Sequence, residues 1–282
     1  MKVYHDALKQ IMEKGSDKEG RNGKTRSLFA LQMRFPMSGG FPAITTKKLA
    51  FRSMAIELLW FMSGQTDNNE LTRLKCNIWK ANAEASYWKD KAKFPGDLGR
   101  VYGAQWRDWT NRHGESFDQL AKAVDQIKND PGSRRIIVSA WNPGEFSEMA
   151  LPPCHAMFQF YVDGDKLSLH LYQRSADMFL GVPFNISSYS LMLHLIAQIT
   201  NKKAHEFVHT LGDAHIYHNH FDAVKEQLSR KEFPLPKLWI NPEIKSLDQL
   251  TTKHLEEAKD VFKMFKLEDY QHHPTIKAPM AV

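Results

Sequence analysis

Two hydrophobic periods run along this chain, and they alternate. Residues 1–14 place Val3, Ala7, Leu8, Ile11 and Met12 on one face of a helix. Residues 51–63 are apolar almost all round, as in a buried helix. Residues 117–128 carry apolar side chains at 117, 120, 121, 124 and 127 and stop at Asp130-Pro131-Gly132, a helix with its terminator. Residues 187–200 predict another largely apolar helix, and 254–265 an amphipathic one. Between these lie strand-like runs at 27–35, 136–141, 206–212 and 237–240. The runs 156–162 and 166–173 flank Asp163-Gly164-Asp165 and predict a hairpin. Residues 21–24 form a basic turn, and 77–97 read as a polar, irregular surface excursion. Helices mixed with hairpins predict an α+β fold, with long buried helices packed on a mixed, mostly antiparallel sheet.

Composition narrows the class. The 282 residues are 42% hydrophobic and 25% charged, the balance of a folded protein rather than a disordered one. No repeat, low-complexity tract or linker interrupts the chain, so residues 1–282 are expected to form one domain. No apolar stretch is long enough to cross a bilayer, and the N-terminus lacks the apolar core of a signal peptide. Cys76 and Cys154 are too few for a disulfide framework. A cytoplasmic protein with two free thiols is expected. The formal net charge of +6 suits an anionic ligand. No Gly-rich dinucleotide fingerprint, phosphate loop, paired-cysteine zinc pattern or RNA-binding motif accompanies it, which favours a small anion over nucleic acid.

Several clusters carry candidate chemistry. Pro152-Pro153-Cys154-His155 puts a thiol on a stiff approach to a strand, where a nucleophile can be held. Such a thiol needs positive charge nearby to become a thiolate. Gln173-Arg174-Ser175-Ala176-Asp177 follows a strand and offers a cation, a hydroxyl and a carboxylate at the sheet's end. Ser133-Arg134-Arg135 supplies two more guanidiniums, the groups that grip phosphate by paired hydrogen bonds. Glu57 sits among Met54, Trp60 and Phe61 with no polar face to join, so desolvation is expected to raise its pKa toward neutrality. In Asp213-Ala214-His215-Ile216-Tyr217-His218-Asn219-His220, the alternation of His215 and Tyr217 projects both to one side of an extended segment. A metal site there has no supporting ligand spacing. The apolar tail 276–282 is expected to dock rather than fray.

Taken together these segments resemble the folate-dependent thymidylate synthases. The likeness also includes Glu57-Leu58-Leu59-Trp60-Phe61, Thr45-Thr46-Lys47, Leu180-Gly181-Val182-Pro183-Phe184-Asn185 and the tail, and spans the first helix to the last residue. It implies the fold of that family and reductive methylation of deoxyuridylate. The one-carbon donor and reductant would be 5,10-methylenetetrahydrofolate, a co-substrate, with no metal, nicotinamide or flavin. It implies Cys154 as nucleophile at C6 of the pyrimidine, and Glu57, Asn185, Arg174, Tyr102 and Asp177 as the rest of the catalytic set. Arg21, Arg134, Arg135, His155, Gln173, Arg174, Ser175, Ala176, Asp177, Asn185, His215, Ile216 and Tyr217 would hold the nucleotide. Asp177, Lys47, Trp79, Leu180, Gly181, Phe184, Ala281 and Val282 would hold the folate, Lys47 toward its anionic glutamate. The resemblance also implies a homodimer in which Arg134 and Arg135 serve the partner's phosphate, and no membrane association.

Two departures matter. Ala50 stands where relatives often carry His, and Asn82 where they carry a second Trp; Trp88 is the candidate substitute. They keep open a deoxyuridylate hydroxymethylase, in which water rather than hydride quenches the one-carbon intermediate. RNA binding by the basic surface is a third reading.

Overall fold

In the computed structural model residues 1–20 and 22–279 are described; Arg21, Ala281 and Val282 lie outside them. Helix α1 (Lys2–Lys14) buries Ala7, Leu8 and Ile11 of the predicted stripe together with Tyr4, while Val3 and Met12 are only partly buried. Strand β1 (Ser16–Gly20) folds back on β2 (Gly23–Pro36), with Gly20 opposite Gly23. In α2 (Phe51–Met62) every residue but Arg52 and Ser53 is buried. Asp67 caps α3 (Asn68–Arg73), and α4 (Lys80–Ala83) and α5 (Tyr102–Arg107) follow. A small hairpin of β3 (Trp109–Thr110) and β4 (Ser116–Phe117) leads to α6 (Gln119–Asn129). Then come β5 (Ile137–Ser139), β6 (His155–Asp163), β7 (Lys166–Asp177), the long α7 (Gly181–Ile199), β8 (Lys203–Tyr217) and α8 (Phe221–Ser229). A last pair, β9 (Lys237–Ile240) and β10 (Phe265–Glu268), flanks α9 (Val261–Met264).

Six strands form one sheet in the order β1-β2-β8-β7-β6-β5. Every pairing is antiparallel except β7 with β8, which α7 connects as a crossover helix. The fold is therefore the expected α+β arrangement with a mixed sheet. Helices α1 and α7 cover one face of the sheet, and α2 packs on α7. The opposite face is open and carries Tyr161, Met157, Tyr172 and Ile137.

A crease crosses this sheet. The ladder skips Ala30, Gly212 and Arg174 on neighbouring β2, β8 and β7, and slips one residue on β6 between His155 and Met157. Ala30 takes φ 64°, left-handed backbone rare for a side-chain-bearing residue. Gly212 leaves no room for more: a Cβ there would lie 2.8 Å from the Arg174 carbonyl oxygen and 3.1 Å from the Tyr172 hydroxyl. Interrupted ladders bend strands. Beyond the crease lie the strand ends that carry Cys154, Arg174–Asp177 and His215–Tyr217.

Some expectations need correction. Residues 254–265 are not one helix: Glu257 and Asp260 cap each other reciprocally around a single 3-10 turn, and Phe265 is drawn into the β10 strand, fully buried. Phe117 is not on the α6 stripe; it is exposed, and Asp118 starts the helix by accepting from the Ala121 N–H at 2.8 Å. The 77–97 segment is no plain surface excursion, because Trp79 and Trp88 are buried and the Trp88 indole donates to the Asp97 carbonyl at 2.7 Å. Gln173–Asp177 lies inside β7 rather than beyond it, α7 begins six residues before its predicted start, and β8 runs past both predicted ends.

Candidate active site

The Cys154 thiol stands one residue before β6, half-buried. Its backbone N–H donates to the Tyr102 hydroxyl at 2.7 Å, and the His155 N–H donates to the same oxygen at 3.3 Å. Tyr102 is thus a clamp on the backbone that carries the thiol; burial pushes its own pKa upward. The approach to Cys154 is fixed by Arg174, whose Nε donates to the Pro153 carbonyl and Nη2 to the Pro152 carbonyl, both at 2.9 Å. The Arg174 N–H also donates to the Cys154 carbonyl at 2.9 Å. Burial raises the pKa of Cys154, and the charge of Arg174 opposes that rise. A bound anion therefore competes for the cation that favours the thiolate. The Trp141 ring, 5.2 Å from the Arg174 guanidinium, steadies it from one side; no sequence pattern pointed to this residue.

Arg174 and Ser175 open onto a cavity of ≈ 330 Å³ that His215, Tyr217, Asp213, Thr25, Gly20, Asn22 and Gly23 also line. Gly20, Asn22 and Gly23 bring the described residues of the β1–β2 connection to the same cavity. His215 Nδ1 faces Asp213, 3.3 Å from its carboxylate. Ala176 and Ile216 are fully buried within the sheet and do not line this cavity. Gln173 is buried and turned inward; its amide donates to the Ser175 carbonyl at 2.9 Å and bonds His209 at 2.8 Å. Arg134 and Arg135 are exposed at the head of β5, on the far edge of the sheet, and do not line this cavity. His218 pairs with Asp17 at 3.2 Å, and among the described residues no three metal-ligating side chains gather.

A second group converges at the start of α7. Asp177 Oδ1 accepts from the Phe179 and Leu180 N–H groups at 3.0 and 3.2 Å. Among the described residues Oδ2 has no protein partner, so the carboxylate keeps one acceptor for a ligand N–H. Gly181 lies between this carboxylate and the Asn185 amide: a Cβ on Gly181 would sit 3.8 Å from Asp177 Cβ and 3.7 Å from Asn185 Oδ1. Leu180, Gly181 and Phe184 are half-exposed at this turn. Asn185 is buried and faces His155, whose pKa burial lowers to about 4, with the Asn185 bond opposing.

Glu57 is buried on α2, and its carboxylate accepts from the Trp79 indole N–H at 2.8 Å. Burial raises its pKa to about 7, and that hydrogen bond only partly counters the rise. Trp79 and Tyr102 stand 5.9 Å apart, so the carboxyl and the nucleophile's clamp share one aromatic wall. Trp88 lines a separate cavity with Lys91 and Arg100, whose walls include neither Trp79 nor Asp177. Lys47 is also inside the protein, its ammonium donating to the Phe179 carbonyl at 2.5 Å and lying 3.5 Å from the Phe179 ring centre. Burial lowers its pKa to about 8. That placement braces the Asp177–Gly181 turn through Phe179.

A thiol held by its backbone, an arginine beside it and a near-neutral buried carboxyl are groups suited to nucleophilic addition and proton transfer. Comparison with known protein families gives a match to the family described as thymidylate synthase over residues 2–282, so the chain belongs to the thymidylate synthase family of enzymes.

Proposed function

We propose that this protein methylates deoxyuridylate to thymidylate, with 5,10-methylenetetrahydrofolate as carbon donor and reductant, leaving dihydrofolate. The observation that carries the reading is the Cys154 thiol, pinned through Tyr102 and through Arg174, which itself lines the cavity with Ser175, His215 and Tyr217. The thiolate adds to C6 of the uracil ring and pushes an electron pair through C5 toward O4, turning C5 into a nucleophile. Asn185 hydrogen-bonds the pyrimidine edge where that charge collects. Glu57, near neutrality, accepts the C5 proton through water and returns it to the medium. The folate, when bound, supplies one carbon and a hydride. Asp177 Oδ2 accepts from the pterin ring, while Leu180, Gly181, Phe184 and Trp79 cover its face. Loss of the C5 proton and reduction of the transferred carbon leave a methyl group, and expulsion of the Cys154 thiolate restores the ring.

Arg21 and Arg174 hold the phosphate with Ser175, and Arg134 and Arg135 complete the cradle from a second chain. The open sheet face, with Tyr161, Tyr172 and Met157, is the surface that a second copy covers. Ala281 and Val282 exclude water from the folate side. RNA binding by the basic surface is a separate reading that no feature of this site favours.

The test is mass spectrometry with 5-fluorodeoxyuridylate and methylenetetrahydrofolate. The fluorine cannot leave as a cation, so a ternary covalent adduct on Cys154 is expected. No adduct at that thiol would sink the reading. With the natural nucleotide, tetrahydrofolate and a hydroxymethyl product in place of dihydrofolate would establish the hydroxymethylase that the Ala50 and Asn82 departures suggest.

A further inference from the structure

The last described stretch of chain is stitched along the body. The Tyr270 hydroxyl donates to the Ile44 carbonyl at 2.6 Å and accepts from the Leu49 N–H at 2.9 Å. The His273 N–H donates to the Thr45 carbonyl at 2.9 Å. Arg230 Nη1 spans the Thr46 and Pro274 carbonyls at 2.9 and 2.6 Å. Ile276 is buried. The final stitch is different in kind: His220, wholly buried, donates from Nε2 to the carbonyl of the exposed Pro279 at 2.7 Å. Proline has no N–H, so its carbonyl is the only backbone handle the tail offers at this point. The other ring nitrogen of His220, Nδ1, is buried with no hydrogen-bond partner among the described residues. An orphaned buried polar atom is costly, so the imidazole is retained for what Nε2 holds.

His220 also reaches the folate side of the proposed site. Its ring lies 5.5 Å from Phe179 and 5.5 Å from Tyr217. Phe179 is the residue whose N–H caps Asp177 and whose carbonyl and ring receive Lys47. One imidazole therefore touches the tail, the turn that carries Asp177 and the strand end that carries His215 and Tyr217.

We propose that His220 is a positioning residue that fixes where the tail leaves the body and ties that point to the Asp177–Gly181 turn. The catalytic half of this inference rests on the folate reading above; the anchoring half does not. Two variants test both. His220→Phe keeps a ring against Phe179 and Tyr217 but removes the donor, and His220→Gln restores an N–H at the reach of Nε2. Lys277 is exposed, two residues before the anchored carbonyl. Trypsin cleavage after Lys277, followed by intact mass, is expected to be about fivefold faster in His220→Phe and near wild type in His220→Gln, with cleavage elsewhere unchanged. An unchanged rate in His220→Phe overturns the anchor. Kinetically, His220→Phe is expected to raise KM for methylenetetrahydrofolate about tenfold while KM for deoxyuridylate stays within about twofold, with His220→Gln rescuing. Equal rises in both KM values overturn the coupling to the turn. If the wild-type protein makes no thymidylate, the functional reading fails, and the proteolysis still decides the anchor.

Discussion

Glu57 shows how much a single side chain can carry. It has a tryptophan donor but no cation, and its pKa rises from 4.5 to about 7 because ionisation inside the helix pair is expensive. A carboxyl raised in the folded state stabilises the protein fully below its unfolded pKa, and that contribution is lost as pH rises through the folded value. Glu57→Gln, always neutral, should therefore be more stable than wild type above pH 7 by about 3 kcal/mol, with the gap closing toward pH 4.5. Parallel denaturant titrations across that range measure it, and a constant gap would exclude the raised pKa. The same variant should lose about 10²–10⁴-fold in kcat, since the proton acceptor is gone. Asn185→Asp should admit deoxycytidylate, whose amino group needs an acceptor where uracil presents O4; an unchanged base preference in competition assays would refute that role. Most of these residues were legible in the sequence, because Cys154, Glu57, Arg174 and His215 each carry a local signature. Trp141 and His220 were not, since their partners are far along the chain. The burial of the Lys47 ammonium against Phe179 was hidden for the same reason: nothing in Thr45-Thr46-Lys47 announces it.

Among the elements, the strands do the positioning. The crease through Ala30, Gly212, Arg174 and the His155–Met157 slip bends adjacent strands at one level, and every proposed nucleotide contact from β7 and β8 lies at or beyond it. Gly212→Ala should push its methyl into the Arg174 carbonyl and cost about 1–3 kcal/mol. Because Arg174 also holds Pro152 and Pro153, the nucleophile should move with it, and thiol alkylation of Cys154 should change rate. An unaltered melting curve and alkylation rate would show that the crease has slack. Strand existence was readable from alternation, but the crease was not: in β7 the buried set runs 167, 169, 171 and 173 and resumes at 176, across residues that read as polar in the sequence. The 254–265 segment failed in the opposite way. Its apolar spacing suits a helix, yet paired caps at Glu257 and Asp260 cut it into turns.

At the scale of the whole molecule, the distance between Arg134 and the cavity becomes the argument for a second chain. Arg134 and Arg135 precede β5, the edge strand opposite β1, and neither lines the cavity, so the proposed cradle needs them from a second chain. Mixing an Arg134→Ala chain with a Cys154→Ala chain should restore about one quarter of wild-type activity once subunits exchange at random, because half the dimers are mixed and each has one intact site. No recovery would refute sharing. Tyr161→Glu on the open face should make activity depend on protein concentration, seen together with a monomer in ultracentrifugation.

The crease has a consequence for how such a protein changes over time. Its bend comes from main chain at Ala30 and Gly212, not from the groups that hang off the strand ends. Mutational drift can therefore rewrite those hanging groups, and with them the choice of pyrimidine, while the frame that presents them stays put. Novel specificity is cheap here, and loss of the small residue at 212 is not.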